Sequence, residues 1–240
     1  MILLDPEAHP VIAHRGASGE YPENTMLAFT RALEQGADAI ELDVRVTADG
    51  VPVVLHDATL DRTTGHAGSV AALTLRQVRQ AVSGAGERIP ALADVLERFP
   101  ETPLIVEIKD VAAALPTLAV LRRQGAAGRV LLGAFERASL EPFRGTEFSR
   151  AAWRTQVGWF WSRAQVGWAS RGDFVAFTVP ERSGLIHVVD AQFLRATRRL
   201  GLPVHVWTVD DPAAAARLRA AGVCGIITNY PERMRTLAPS

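Results

Sequence analysis

Residues 39–57 read AIELDVRVTADGVPVVLHD, and the way this stretch folds decides the architecture. The first apolar run, Ala39–Val44, is interrupted only by Glu41 and Asp43. Their i,i+2 spacing sends both carboxylates out of one face of a strand. The second run, Val51–Leu55, begins after Arg45–Gly50. That gap is too short for the crossover joining parallel strands, which takes about a dozen residues or more. An Asp49-Gly50 pair between two apolar runs instead signals an antiparallel hairpin. The expectation is therefore that the strand continues, turns at Asp49-Gly50 and comes back on itself. With those two as the turn residues, cross-strand partners sum to 99 and His56 returns opposite Asp43.

Outward from this hairpin, short apolar runs alternate with helical stretches. The runs are Val11–His14, Leu104–Ile108, Val130–Ala134, Ala151–Trp153, Phe174–Phe177, Val204–Val209 and Cys224–Thr228, with Ala151–Trp153 and Phe174–Phe177, the fifth and sixth strands of the series, giving the weakest signals. Helical spacing appears over Thr25–Gln35, Ala113–Gln124, Ala191–Leu200 and Pro212–Ala221, with Gly36, Gly125, Gly201 and Gly222 as terminators. Together with Ala39–Val44 this makes eight strands alternating with helices. The pattern predicts an α/β (β/α)8 TIM barrel with a hairpin excursion after the second strand, and a doubly wound open sheet is its competitor. No repeat, low-complexity tract or linker divides residues 1–240, so a single domain is expected.

The 26 basic and 26 acidic residues cancel, and this removes the electrostatic footprint of a nucleic-acid or anionic-membrane partner. A lone cysteine, Cys224, rules out a disulfide framework. The first residues, MILLDPEAHP, lack the basic and apolar regions of a signal peptide, and no apolar run reaches membrane-helix length. A cytoplasmic protein without stable membrane insertion is the expectation, and a homodimer stays open. Of the 26 basic residues, 25 are arginine; Lys109 is the single lysine.

Barrels of this type place their active sites at the C-terminal strand ends. The first strand ends His14-Arg15-Gly16, the second carries Glu41 and Asp43, the third Glu107 and Lys109, and the seventh His205 and Trp207. Three carboxylates converging on one mouth repel each other unless a cation lies between them. An all-oxygen donor set favours Mg²⁺, Ca²⁺ or Mn²⁺ over zinc. The competing reading is carboxylates paired with interior arginines. Trp207, on the face of His205, is read as a wall for an organic group, or else as core. Glu23-Asn24-Thr25 reads as a helix start capped by Asn24 or Thr25, with a substrate contact from Glu23 as the other reading. Four of the five tryptophans, Trp153, Trp159, Trp161 and Trp168, fall in one stretch and read as core or interface packing, or as a substrate-side or lipid-facing aromatic wall.

The ordered motifs His14-Arg15-Gly16, Pro22-Glu23-Asn24-Thr25, Ile40-Glu41-Leu42-Asp43-Val44, Thr47-Ala48-Asp49-Gly50, Val54-Leu55-His56-Asp57, Leu60-Asp61-Arg62-Thr63-Thr64-Gly65, Ile89-Pro90-Ala91-Leu92, Glu107-Ile108-Lys109, Val206-Trp207-Thr208-Val209 and Gly225–Pro231 resemble the glycerophosphodiester phosphodiesterase family. The resemblance spans residues 11–232. It departs at Ala134-Phe135, where family members usually carry Ser-Phe, and gives no guidance over residues 145–175.

The resemblance implies hydrolysis of glycerophosphodiesters, such as glycerophosphocholine, to glycerol 3-phosphate and an alcohol. It implies Glu41, Asp43 and Glu107 as ligands of one divalent cation, Mg²⁺ or Ca²⁺ with Mn²⁺ as an option, and His14 and His56 as the acid/base pair. Imidazole titrates near enough to neutrality for both duties. Arg15 and Lys109 are expected to hold phosphate oxygens. A chain that otherwise uses only arginine has a reason for lysine at 109 if a planar guanidinium is too large for that place. Two other readings stand beside this one: a lysophospholipase D on the same barrel, favoured by the tryptophan-rich segment, and a non-catalytic phosphate-ligand protein on a decayed barrel. Against decay, His14, His56, Glu41, Asp43 and Glu107 are all present. A zinc amidohydrolase is disfavoured because no His-x-His follows the first strand.

Overall fold

The computed structural model describes residues 1–83 and 85–235. Eleven strands occur in this range: β1 (Val11–His14), β2 (Ala39–Val46), β3 (Pro52–Val54), β4 (Leu104–Ile108), β5 (Val130–Gly133), β6 (Ser149–Arg150), β7 (Phe177–Pro180), β8 (Arg182–Ser183), β9 (Ile186–His187), β10 (Val204–Trp207) and β11 (Gly225–Thr228). Eight of them run parallel in the order β6-β5-β4-β2-β1-β11-β10-β7. A parallel bridge between Ala151 and Ala176 joins the two ends of that order. There Ala152 N–H donates to the Ala176 carbonyl at 2.9 Å and Val175 N–H to the Arg150 carbonyl at 3.0 Å. The sheet therefore closes on itself as an α/β barrel, with helices between most strands.

The strands alternate between two buried faces, as in a barrel jacketed by helices. Outward-facing Ile40, Leu42, Val44, Leu104, Val106 and Ile108 pack against the helical layer. Inward-facing Ile12, Ala39, Ile105, Leu131 and Ile227 form a compact plug with Leu3. His205 belongs to that inner layer: it is fully buried, and its Nε2 lies 2.9 Å from the Leu3 carbonyl. A Cβ on the neighbouring Gly225 would come within 2.2 Å of the His205 ring, so this strand position has room only for glycine. Moving two residues further along each strand from this plug reaches His14, Glu41, Glu107, Gly133 and Trp207. Period-two alternation thus stacks the candidate site directly on the inner core.

Two expectations need correction. β2 and β3 do pair antiparallel, but in the register Val44–Val54, Arg45–Val53 and Val46–Pro52. Partners sum to 98, and Leu55, whose N–H donates to the Asp43 carbonyl at 3.0 Å, takes the place expected of His56. The cause is a three-residue loop, Ala48–Gly50. Thr47 N–H bonds the Val51 carbonyl at 3.1 Å, and Gly50 adopts φ 78°, the left-handed residue that closes such loops. The fifth and sixth barrel strands are also displaced, to Ser149–Arg150 and Phe177–Pro180. The runs expected there contain Ala151 and Ala176, which meet in the closing bridge.

Candidate active site

Parallel register sets the site's spacing. His14 on β1 lies beside Glu41 on β2, and Asp43 on β2 beside Glu107 on β4. Ligating oxygens of Glu41, Asp43 and Glu107 lie within 4.8 Å of one another. Glu41 and Asp43 are buried. Burial, then the charges of Asp43 and Glu107, push the Glu41 carboxyl well above its usual range. Burial likewise raises Glu107, against the pull of Lys109. Three acidic groups at such separations resist ionising together. A hard divalent cation would relieve that repulsion, and the donors are all oxygen, so the residues fit such an ion.

Both cations expected at the mouth are paired with these carboxylates. Lys109 Nζ lies 2.6 Å from Glu107 Oε1 and 3.4 Å from Asp43 Oδ1. Burial works against its charge, yet Asp43 and Glu107 hold its pKa above the ordinary lysine value. Arg15, in a left-handed conformation at φ 56°, donates its backbone N–H to Glu41 Oε2 at 3.1 Å and places Nε 3.1 Å from Asp43 Oδ2.

Each histidine is held by its Nδ1. His14 Nδ1 is 2.8 Å from Asn229 Oδ1, while the Asn229 amide nitrogen donates to Asp210 Oδ2 at 2.7 Å. The Asn229 oxygen is therefore an acceptor, so His14 Nδ1 carries the proton. His14 Nε2 lies 4.0 Å from Glu41 Oε2, on the carboxylate side. Burial lowers the His14 pKa, with the Asn229 bond opposing it. His56 Nδ1 is 2.7 Å from Asp57 Oδ1, and its backbone carbonyl accepts from Arg45 Nε at 2.8 Å. Both rings line a cavity of about 110 Å³ together with Arg15, Glu41, Glu107, Lys109 and Trp207. Trp207 stands edge-on to Phe135 at 6.1 Å between ring centroids.

Several contacts on which this geometry depends were not foreseen from the sequence, although the residues that make them were singled out there. Glu23 accepts from Arg15 at 3.0 Å and, through both oxygens, from Arg62 at 2.7 and 2.8 Å. Arg62 Nε in turn donates to Asp57 Oδ2 at 2.5 Å. A continuous chain of charges, Asp43–Arg15–Glu23–Arg62–Asp57–His56, thus links the acidic cluster to the second histidine. Arg62 holds the Asp57 carboxyl well below its usual range. Thr25 is the helix cap, accepting from Ala28 N–H at 3.1 Å. Asn24, at φ 57°, instead turns its amide onto Asp43 Oδ2 at 2.9 Å. Local spacing signals a cap; only the folded barrel brings β2 under Asn24. Of the tryptophan stretch, Trp161 bonds Asp190 at 2.9 Å, whereas Trp159 and Trp168 are exposed.

A family model described as the Glycerophosphoryl diester phosphodiesterase family matches residues 14–233, from His14 into the last described helix. The chain belongs to that family. Members with which it shares sequence include "Probable glycerophosphodiester phosphodiesterase 2" of Mycobacterium tuberculosis, 36% identical over 93% of this chain and 88% of the relative. A glycerophosphodiester phosphodiesterase of Caldanaerobacter subterraneus is 34% identical over 95% of this chain and 96% of its own length. Among solved structures, a glycerophosphodiester phosphodiesterase from Agrobacterium tumefaciens superposes with a TM-score of 0.79 at 27% identity, covering 97% of this chain and all of that one. An Oleispira antarctica phosphodiesterase, determined in complex with the product sn-glycerol-3-phosphate, shares the fold at a TM-score of 0.82 and 24% identity over 97% of this chain and 98% of that one.

Proposed function

We propose that this member of the family hydrolyses glycerophosphodiesters to glycerol 3-phosphate and a free alcohol, with His14 and His56 as the acid/base pair. The observation that carries the reading is the pairing of two histidines, each held through Nδ1 and each bordering one small cavity, with a cluster of three carboxylates, two of them buried. A divalent cation bound by Glu41, Asp43 and Glu107, with Mg²⁺, Ca²⁺ and Mn²⁺ the suitable ions, would neutralise phosphoryl charge.

One imidazole takes the proton of the attacking hydroxyl through Nε2, and the other protonates the departing alkoxide. The attacking hydroxyl is the glycerol 2-hydroxyl of the substrate. It forms a P–O bond as the alcohol's P–O bond breaks, and water then opens the cyclic phosphate to the monoester. Summed over both steps, one water is consumed and one alcohol is released. Asn229 and Asp57 fix the rings in the tautomer that leaves Nε2 free. Arg15 and Lys109 offset the repulsion among the carboxylates and present their remaining N–H donors to phosphate oxygens. Trp207 and Phe135 wall the organic part of the substrate.

The β2–β3 hairpin serves this scheme by returning the chain to the mouth at His56. The working unit is read as one catalytic barrel over residues 1–240, cytoplasmic, as monomer or homodimer; no described helix is long and apolar enough to cross a membrane. Incubation with glycerophosphocholine tests the reading: equimolar choline and glycerol 3-phosphate are expected, and no release by the metal-supplied protein overturns it.

A further inference from the structure

Next to the catalytic pocket lies a second, much larger cavity of about 490 Å³. Glu107, Phe135, Thr178 and Trp207 line both, so the two are neighbours across one shared wall. The catalytic pocket is much smaller, at about 110 Å³, and its lining is charged. The larger cavity is bounded by Ala152, Val157, Trp161, Val179, Ile186 and Val188 among others. Beyond the shared wall its polar residues are Arg154 and Ser183. The barrel mouth is thus divided, with charges on the β1–β2–β4 side and apolar walls on the β5–β7–β10 side.

We propose that the larger cavity receives a hydrocarbon chain carried by the phosphodiester, so that the substrates this chain prefers are glycerophosphodiesters bearing an aliphatic group. The inference rests on the catalytic reading above and names the class of substrate for the same site. Three independent features support it. First, Arg154, Val157, Gly158 and Trp161 on the helix Arg154–Gln165 follow i, i+3, i+4, i+7 spacing, so one helical face borders the cavity. Second, the member of that face with no side chain, Gly158, sits in the helix interior, where glycine weakens a helix. A Cβ there would meet no atom within 4 Å, so packing does not require glycine, and any larger residue would take up cavity space. Third, Ala134 lies on this wall and adds a small apolar side chain beside the place where a hydrocarbon would pass. The β8–β9 hairpin adds an apolar lip, with Ile186 lining the cavity and Leu185 fully exposed beside it.

The chain could be attached at either end of the diester, as an acyl group on the glycerol or as the alcohol that leaves. Two substrate series separate these sources. One is 1-acyl glycerophosphocholines of two to ten carbons, kept below micelle formation; the other is glycerophosphate n-alkyl esters of the same lengths. Burial of a methylene favours binding by about fourfold at full effect. In one of the two series kcat/KM is therefore expected to climb about two- to fourfold per methylene until the cavity is filled, and the series that climbs identifies the attachment. Gly158→Leu, which lies outside the catalytic pocket, should flatten the climb, whereas Gly158→Ala should keep most of it. Calorimetric Kd values of ethyl to octyl phosphate should show the same dependence without any turnover. Flat series in wild type, or a climb that Gly158→Leu leaves intact, overturns the inference. Glycerophosphocholine distinguishes its failure from that of the catalytic reading. If that substrate is not hydrolysed, the catalytic assignment falls, and the alkyl phosphate titration still decides the cavity.

Discussion

Lys109 Nζ, one residue past the end of β4, lies 2.6 Å from Oε1 of Glu107 two residues back. Lys109 is the single lysine in a chain with 25 arginines, which makes its substitution by arginine a test of size against charge. The ammonium fits between Glu107 and Asp43 and also lies 5.5 Å from the Phe135 ring centroid, a confined place for a planar guanidinium. Lys109→Arg should therefore lose kcat/KM almost as severely as Lys109→Ala, on the order of 100-fold, with Tm close to wild type. Steady-state kinetics of both variants on glycerophosphocholine checks this. Recovery of most activity by arginine would show that charge alone matters at 109.

His14→Ala and His56→Ala should each lower kcat by about 10²–10⁴-fold. The double variant should fall well short of the product of the two losses if the rings act as a unit. A near-wild-type kcat for either single variant would remove that ring from the chemistry.

The charge chain through Glu23 carries its own expectation. Burial opposes the charge of Glu23, but Arg62 and Arg15 outweigh it and hold the carboxyl below its usual range. Glu23→Gln removes the anion common to both guanidiniums and so loosens Arg15 at Asp43 and Asp57 at His56. A kcat loss of about tenfold is expected, the effect of misplacing acid/base groups without deleting them. Combining it with Asp57→Asn should be clearly non-additive. Multiplicative losses would mean that the two residues act separately.

Burial lowers the His205 pKa to about 4, against about 6.5 for imidazole in an unfolded chain. The unfolded state therefore binds a proton that the native state refuses between these values. Stability due to this residue is complete above about pH 6.5 and is lost as pH falls toward 4, by about 3 kcal/mol at most. Neutral His205→Gln should show a shallower fall in unfolding free energy over this window, measured by urea titration. Parallel pH profiles for variant and wild type would contradict the assignment.

Much of this arrangement is legible in the sequence alone. The i,i+2 spacing of Glu41 and Asp43 puts both carboxylates on one face of a strand, and the short gap before Val51 forces an antiparallel return. What sequence could not supply was set by geometry between distant segments. The hairpin register turned on whether two or three residues form the loop, and Gly50 suits either. Asn229 and Asp210 are separated from His14 by about two hundred residues, and they meet only because β1 and β11 are neighbours. Asn24 reads as a cap because local rules see only the helix that follows. The larger cavity was invisible because its walls come from β5, β7, β10, a helix and a hairpin, none of which has a distinctive pattern alone.

The acidic cluster is the most direct point of attack on the catalytic reading. Exhaustively chelated protein should release no glycerol 3-phosphate from glycerophosphocholine, and adding Mg²⁺, Mn²⁺ or Ca²⁺ should restore release in wild type but hardly at all in Asp43→Asn. Undiminished hydrolysis by the chelated protein, or full rescue of Asp43→Asn, would show that Glu41, Asp43 and Glu107 do not serve the reaction through a metal ion.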